Sequence, residues 1–320
     1  TAGETILVKT NISEAITLAT ADVSLKCDST SRQITNTVTV TASGPANSNY
    51  LTIDSCTFTQ PISITSGADN VKVTSSIIAM ADNNEAAFTV TGANGNTNDN
   101  IWLHSNLIKH GAGGVTIDKA FDLGAHLGSI KLESNTVYVD SSNGAQVDHC
   151  IVASSGNLTL TNNTCLSTSA TGKGIDLSST ATLTSATGNT INTFTDGLYV
   201  NNNQTHSFSS NILKNNTDHV EINQADKNLS ILNNFIGTIT GPEVGTIEET
   251  GNNSKIFYYP YYTDENRTTL ATVRATRDIT VNSENITENY QTIAAAVNIA
   301  DAGNTIVVKS MTHTANLTIN

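Results

Sequence analysis

Four aspartates in the central region are the residues best placed for acid–base chemistry: Asp118, Asp122, Asp140 and Asp176. In a fold that stacks successive segments, these carboxylates could approach one another. Two of them at the right separation can hydrolyse a glycoside. The alternative is that they are solvated residues at turns, and the sequence favours that interpretation.

Metal and nucleophile chemistry has less support. The pairs Asp148-His149 and Asp218-His219 lie 70 residues apart, and neither shows the ligand spacing of a zinc site. Nucleophile-elbow, P-loop and zinc motifs are missing from the chain. The acidic turns DNNE at Asp82 and NTND at Asn96 could bind calcium loosely. Apart from that calcium, the sequence predicts no cofactor.

The four cysteines, Cys27, Cys56, Cys150 and Cys165, are compatible with two disulfides. Cys27 and Cys56 lie 29 residues apart, about one period of the repeat described below, so they could stack and pair. Cys150 and Cys165 lie only 15 apart, and their pairing is less secure. The alternative is that all four are small buried core residues.

Asparagines also form many N-x-S/T sequons, which are candidate glycosylation sites. They begin at Asn11, Asn157, Asn162, Asn203, Asn215, Asn228, Asn252, Asn266, Asn285 and Asn316. In a chain rich in Asn and Thr, several can arise by chance. If a few carry glycan, the protein lies on an outer surface.

A short phrase recurs eight times between residues 49 and 235, as in NVKVTSS, NIWLHSN and NLTLTNN. Two or three alternating apolar positions are followed by a closing Ser or Asn. The closing residues, 21 to 30 apart, are Ser55, Ser76, Asn106, Asn135, Asn163, Asn189, Asn211 and Asn234. Such a period is typical of a solenoid, and alternation with period two predicts strands. An antiparallel sandwich is the alternative, but it does not need the same corner residue in each repeat.

Stacked repeats would align the first apolar residue of each phrase into one buried column. That column would contain Leu51, Val71, Ile101, Ile130, Leu158, Leu183, Phe208 and Leu229. The closing residues would form a second column, with side-chain amides hydrogen-bonded along the axis. Asn also tolerates the left-handed backbone of a sharp corner. A second strand follows each phrase.

The pattern divides the chain into three parts. Residues 1–240 read as the solenoid, of roughly ten coils. Residues 241–281 break the repeat and contain four of the eight tyrosines, Tyr258, Tyr259, Tyr261 and Tyr262. These could form an aromatic cap over the open end of the solenoid or a carbohydrate-stacking platform, and the cap is the interpretation favoured. Residues 282–320 predict a helix from about Tyr290 to Ile299, followed by the strand TIVV.

Composition limits the partners. The chain has 28 acidic and 15 basic residues and a net charge of -13, which argues against nucleic acid and anionic membrane surfaces. The sequence has no run of 18 apolar residues that would predict a membrane span. The chain starts at Thr1 with no signal peptide, so we expect a processed chain or a segment of a longer one.

The two ends of the chain repeat each other. AGETILVKT begins at Ala2 and AGNTIVVKS begins at Ala302, with six of nine positions identical at an offset of 300 residues. A chance similarity of two strand starts is the alternative. The repeat predicts modules in tandem, or subunits whose end docks on the next copy.

The coils resemble the right-handed parallel β-helix of the pectin-lyase-like superfamily, and YQTIAAAVNIADAGNTIVVKS looks like its N-terminal capping helix and first strand. YYPYYTDENRTTL resembles a segment that follows β-helix modules in large microbial surface proteins. Lyases of this superfamily use calcium and a basic residue, and its hydrolases carry paired aspartates, a His-Gly and an Arg-x-Lys element. An Asp-Asp pair and an Arg-x-Lys element do not occur here, and Lys119 lies in no motif we can match.

We therefore expect an all-β, right-handed parallel β-helix with a short C-terminal capping helix. The expected function is a non-enzymatic module of a surface layer, sheath, fibre or adhesin, located outside the cell. Its main partner would be further copies of itself. A polysaccharide lyase or hydrolase of the same fold, or an adhesin that binds cell-envelope or host glycans, is the alternative.

Overall fold

Alternating polar and apolar residues form short parallel strands along most of this computed structural model. It describes residues 3–21, 23–44, 50–65, 67–82, 84–91, 100–111, 115–124, 128–138, 146–237, 247–249, 254–258, 260–270, 278–281, 289–290 and 305–308. No helix occurs among these residues. The described residues therefore contain no helix that could cross a membrane.

The strands are numbered in chain order. Those of the first half are β1 (Thr5–Val8), β2 (Ile16–Leu18), β3 (Ser24–Cys27), β4 (Gln33–Ile34), β5 (Val38–Val40), β6 (Leu51–Asp54), β7 (Thr57–Phe58), β8 (Ile62–Ile64), β9 (Val71–Thr74), β10 (Ile77–Met80), β11 (Glu85–Val90), β12 (Ile101–His104), β13 (Leu107–His110), β14 (Ile117–Leu123), β15 (Ser129–Glu133) and β16 (Thr136–Tyr138). The others are β17 (Val147–Ala153), β18 (Asn157–Thr161), β19 (Thr164–Leu166), β20 (Lys173–Ser178), β21 (Thr182–Thr187), β22 (Thr190–Asn192), β23 (Asp196–Asn201), β24 (Phe208–Ser209), β25 (Ile212–Lys214), β26 (Asp218–Ile222), β27 (Asn228–Ser230), β28 (Phe235–Ile236), β29 (Ile247–Glu249), β30 (Lys255–Phe257), β31 (Asp278–Val281), β32 (Asn289–Tyr290) and β33 (Thr305–Val308).

Three parallel sheets make up the solenoid. Sheet 1 runs β1-β3-β6-β9-β12-β15-β18-β21-β24, sheet 2 runs β4-β7-β10-β13-β16-β19-β22-β25-β28, and sheet 3 runs β2-β5-β8-β11-β14-β17-β20-β23-β26-β29. The 21 strands from β6 to β26 pass through the three sheets in strict rotation, which gives seven regular turns. This parallel solenoid is the predicted architecture, but its regular part has about seven turns rather than ten. The strands β3–β5 continue the same rotation, whereas the turns of β1–β2 and β27–β29 each lack a strand of one sheet.

Each turn passes from sheet 1 to sheet 2 through a two-residue corner. The first corner residue has a left-handed backbone: Ser55, Ser75, Ser105, Ser134, Asn162, Gly188, Ser210 and Asn233 have φ between 51° and 74°. The second corner residue is buried: Ser76, Asn106, Asn135, Asn163, Asn189, Asn211 and Asn234. We call these seven residues the asparagine corner.

The expected assignment of Ser55 to this buried column is wrong, because Ser55 is the left-handed residue and its hydroxyl bonds Asp54 Oδ1 at 2.8 Å. Cys56 takes the buried place, and its N–H donates to Ser76 Oγ at 3.3 Å. The left-handed backbone conformation was expected at the corner asparagines. It is adopted instead by the residue that precedes each of them.

The first apolar column is partly as expected. Leu51 lies opposite Val71, and Ile101, Ile130, Leu158 and Leu183 follow in register. The register then shifts after Leu158, so Phe208 lies opposite Ala186 and belongs to the neighbouring column. Leu229 lies in β27, which pairs with β30 in a separate two-stranded sheet.

Two disulfides join all four cysteines. Cys27 is bonded to Cys56 across neighbouring turns, with Cα atoms 5.1 Å apart, and Cys150 is bonded to Cys165 at 6.1 Å. Since Cys56 occupies the place of a corner asparagine, the first disulfide lies at one end of the asparagine corner.

The C-terminal segment predicted to be helical lies only partly within the described residues. Tyr290 lies in β32 and not at the start of a helix. The rest of the expected helix, residues 291–299, lies outside the described residues, as do Asn96, Asp140, Asn252, Tyr259, Asn285 and Asn316.

Candidate functional site

The asparagine corner is the most extensive polar feature of the interior. Each Oδ1 accepts from the previous corner residue: Asn189 Oδ1 takes Asn163 N–H and Nδ2 at 2.9 Å each. Each Nδ2 also donates to a sheet 1 carbonyl of the turn before, as Asn163 Nδ2 does to Leu132 O at 2.8 Å. One side chain therefore connects three successive turns.

This pattern continues without interruption from Asn106 to Asn211, and Asn234 Oδ1 accepts the last pair of bonds at 2.8 and 3.1 Å. The side chains are 0–2% exposed, so each amide is satisfied by protein groups rather than solvent. Only an amide offers two donors and an acceptor without charge. This requirement explains the choice of Asn at the corner.

The outer face of sheet 3 carries three of the four aspartates that the sequence offered for catalysis, Asp118, Asp122 and Asp176. Lys119 Nζ lies 3.0 Å from Asp122 and 3.8 Å from Asp118, and Lys173 Nζ lies 3.3 Å from Asp176. The carboxylates are thus paired with lysines of their own strands. Burial lowers the pKa of Lys119, but its bond to Asp122 and the charges of Asp122 and Asp118 more than offset this and raise it overall. A proton-abstracting lysine needs the opposite shift.

Among the described residues, Asp196 at the start of β23 has the carboxyl pKa that is shifted furthest, and sequence reasoning missed it. It is 5% exposed and pairs in register with Asp218 of the next turn. Burial first, then the charge of Glu221, raise its pKa to about 7, and a hydrogen bond to Glu221 acts in the same direction. A protonated carboxyl group beside a carboxylate is a component of acid–base sites. The sequence alone could not have revealed that Asp196 lies near Glu221. That proximity depends on the register of β23 and β26, which places Tyr199 opposite Glu221.

The histidines of the described residues do not form a common site. Burial lowers the pKa of His149, which lies in register between Lys119 and Lys173. His219 is buried, its pKa falls to about 4, and neither ring nitrogen has a partner among the described residues. The repeated Asp-His pairs are not equivalent, since Asp218 and not His219 shares the register position of His149.

No three Cys, His, Asp or Glu side chains of the described part converge as metal ligands. Asp82, expected at a calcium-binding turn, accepts a 2.6 Å bond from Gln60 Nε2. Comparison with protein-family models, curated proteins and solved structures gave no match.

A second surface, also missed, surrounds the only tryptophan of the chain. Trp102 lies on the outer face of sheet 1, in register between Lys72 and Lys131. Their ammonium groups lie 3.9 and 4.8 Å from the ring centroid, which is within the distance range of cation–π contacts. We call these three residues the Lys-Trp-Lys stack. Its sequence signal was a tryptophan at an outward position of the repeated phrase.

Polar groups fix the orientation of this stack. Trp102 Nε1 donates to Glu133 Oε2 at 3.1 Å, and Lys131 Nζ lies 2.8 Å from the same carboxylate. Tyr50 meets the indole edge-on at 5.9 Å. Beside the stack is a pocket of about 280 Å³ lined by Tyr50, Asn100, Ile101, Trp102, Ser129, Ile130, Lys131 and Thr159.

The tyrosines of the C-terminal region pack against the last turns. Tyr258 and Tyr261 are buried, with ring centroids 6.4 Å apart. Tyr262 N–H donates to the backbone carbonyl of Asn234 at 2.8 Å, as Phe235 N–H does to that of Asn211 one turn earlier. Burial leaves Tyr258 and Tyr261 little surface for a ligand.

The sequon asparagines that the structure describes are all exposed: Asn11, Asn157, Asn162, Asn203, Asn215, Asn228 and Asn266. Their side chains are therefore positioned where an attached glycan would extend into solvent rather than into the core.

Proposed function

We propose that the chain is a non-enzymatic structural module, a right-handed parallel β-helix of the pectin-lyase-like kind, repeated or polymerised in an extracellular layer, sheath, fibre or adhesin. Right-handed connection of parallel strands is the general rule, and it supports the handedness. The corresponding mechanism is mechanical. Stacked turns of about 4.8 Å each form a stiff rod.

The observation that carries this proposal is the uninterrupted asparagine corner. Bending the rod or removing a turn would break several buried hydrogen bonds at once, and each unpaired buried group costs about 1–3 kcal/mol. The ion pairs of Lys119 and Lys173 on sheet 3 add support. They leave the aspartates Asp122 and Asp176 engaged rather than free to act on a substrate.

The extracellular location rests on two further features. Disulfides persist mainly in oxidising compartments, and all four cysteines are paired. The described sequons are solvent-facing, which fits a secreted glycoprotein.

Electron microscopy of the native material is the test. We expect an ordered polymer whose axial or lateral repeat matches one module. Dispersed single particles, together with depolymerisation of a polysaccharide by the purified chain, would overturn the proposal in favour of an enzyme.

A second candidate function, binding of an acidic glycan, is favoured by the pocket beside the Lys-Trp-Lys stack. Lys72 takes part in none of the ion pairs of the described chain, so its ammonium is available to a carboxylate or sulfate. Tyr50 and Asn100 add an aromatic edge and an amide to the pocket wall. Such a combination of aromatic and polar groups is usual in ligand sites.

The single tryptophan makes this candidate easy to test, because all indole fluorescence comes from Trp102. Titration with oligogalacturonate or a sulfated oligosaccharide should change that fluorescence saturably. Lys72→Ala should weaken the response about tenfold, and the exposed Lys9→Ala should leave it unchanged. An unchanged spectrum with every acidic glycan would exclude this function.

A further inference from the structure

One end of sheet 1 exposes residues of the core. Among the described strands, β1 is terminal in the sheet and pairs only with β3, with Ile6 opposite Leu25. These two side chains belong to the same inward column, yet Leu25 is 1% exposed and Ile6 is 49% exposed. Leu7 on the other face is 48% exposed. The apolar column is therefore open where β1 ends the sheet.

Within the described residues, the backbone of β1 also has one unpaired side. The carbonyls of Glu4 and Val8 accept from Ser24 and Asp28 on the β3 side, at 2.9 and 3.1 Å. Because the hydrogen-bonding groups of a strand point alternately to its two sides, those of Thr5 and Leu7 face the free edge. An edge of this kind is a template for a further strand.

The chain itself contains a strand that fits this edge. β33 (Thr305–Val308) occupies the residues that repeat β1 (Thr5–Val8), with Val307 in place of Leu7 as the one difference. β33 pairs in parallel with β31, with Asp278 opposite Thr305, Ile279 opposite Ile306, Thr280 opposite Val307 and Val281 opposite Val308. A near-copy of β1 thus already has its partner.

We infer that the free edge of β1 binds β31 of a second copy of this chain, in parallel and with Leu7 opposite Thr280. The same register places Ile279 over Ile6, where the apolar column is open. β1 then takes the place that β33 holds in the second copy, and the two near-identical strands compete for one edge. This inference rests on the proposed structural function and specifies its contact.

The contact joins different surfaces of the two copies. β1 lies at one end of the chain and β31 near the other, so the interface is head-to-tail and leaves both remaining ends available. Head-to-tail contacts that do not close into a ring produce filaments. The inferred pairing is therefore sufficient for linear growth.

Cross-linking of full-length variants, each with one introduced cysteine, tests the register. The native cysteines are all paired, so introduced thiols react alone. Register neighbours lie about 4.8 Å apart, within the range that a disulfide spans. A mixture of Leu7→Cys and Thr280→Cys chains should give a disulfide-linked dimer on mild oxidation. Leu7→Cys with Ile279→Cys is the matched control and should give at least fivefold less, because adjacent strand residues face opposite sides.

A second set of variants tests the competition. Val307→Pro in the Thr280→Cys chain removes an N–H from β33 and should raise the dimer yield. Leu7→Pro removes the N–H that faces the free edge and should abolish concentration-dependent protection of the Thr5 amide in hydrogen exchange. Equal yields from the two cysteine mixtures, or protection that survives Leu7→Pro, would overturn the inference.

The outcome is separable from that of the proposed function. A polymer with a one-module repeat but no preference for the Leu7–Thr280 pair would leave the structural function standing and exclude this contact. A specific Leu7–Thr280 dimer without any native polymer would support the contact and contradict the structural function.

Discussion

Asn163 and Asn189 lie one turn apart at the asparagine corner, and the Nδ2 of the first donates to the Oδ1 of the second at 2.9 Å. The same Oδ1 also accepts the backbone N–H of Asn163 at 2.9 Å. A single amide oxygen therefore holds both the side chain and the main chain of the neighbouring turn. Loss of one corner side chain affects two interfaces between turns.

Replacement of Asn163 by Ala should lower the free energy of unfolding by about 3–5 kcal/mol. The change leaves Asn135 N–H without its acceptor and removes the side-chain donor to Leu132 O, and each buried unpaired group costs about 1–3 kcal/mol. Urea denaturation followed by circular dichroism measures the loss. Asn157→Ala, an exposed residue of the same turn, is the control and should change stability by about 0.5 kcal/mol or less. Equal effects at both positions would contradict the role of the corner.

The repeated phrase was sufficient to predict the parallel solenoid, because both the strand alternation and the recurring corner residue are local in sequence. The third strand of each turn was harder to see. Sheet 2 is built from strands of two to four residues, such as Thr57–Phe58, which are too short for a periodic pattern. We expected one further strand in each turn after the repeated phrase. The structure has two, which form sheets 2 and 3.

The charged and aromatic clusters depend on register, which the sequence specifies poorly. Lys72, Trp102 and Lys131 are 30 and 29 residues apart and become neighbours only when β9, β12 and β15 align. Asp196 and Glu221 are brought together in the same way by β23 and β26. The shift that moves Phe208 to another column comes from the irregularity after Leu158, and no residue pattern marked it.

The disulfide between Cys27 and Cys56 should stabilise the first turns. It closes a loop of 29 residues, for which chain entropy predicts about 3–4 kcal/mol. The double variant Cys27→Ser/Cys56→Ser should therefore unfold at lower urea concentration, and trypsin should cleave after Lys26 and Arg32 before any site beyond residue 100. The matched variant Cys150→Ser/Cys165→Ser should not expose those two sites. Identical cleavage patterns would refute a local stabilising role.

Asp196 should make stability depend on pH. Its pKa is raised from an ordinary value near 3.8 to about 7, so the folded chain keeps a proton that the unfolded chain releases. The contribution of Asp196 is therefore present below about pH 4 and is lost as pH rises through about 7. Asp196→Asn should match the wild type at pH 4 and exceed its unfolding free energy by on the order of 2–4 kcal/mol at pH 8.

The difference in unfolding free energy between the wild type and Asp196→Asn separates the effect of Asp196 from that of the buried histidines. Burial lowers the pKa of His206 and His219 to about 4, so their contribution is present above about pH 6.5 and is lost as pH falls through about 4. Both histidines are unchanged in Asp196→Asn and cancel in the comparison. Glu221→Gln should move the transition to lower pH, because it removes the negative charge that helps to raise the pKa of Asp196. A pH-independent difference would show that Asp196 is ionised in the folded chain.

Gly188 is the only glycine among the left-handed residues that precede the asparagine corner, and two constraints act on it. Its φ is +74°, and a Cβ there would lie 2.0 Å from Oδ1 of Asn162 in the preceding turn. The Oδ1 of the exposed Asn162 can rotate away from an added methyl group, so left-handed strain should dominate. Gly188→Ala should therefore cost about 1 kcal/mol. Adding Asn162→Gly should recover little of the loss, and recovery of most of it in this double-mutant cycle would show that the contact with Asn162 excludes a side chain at residue 188.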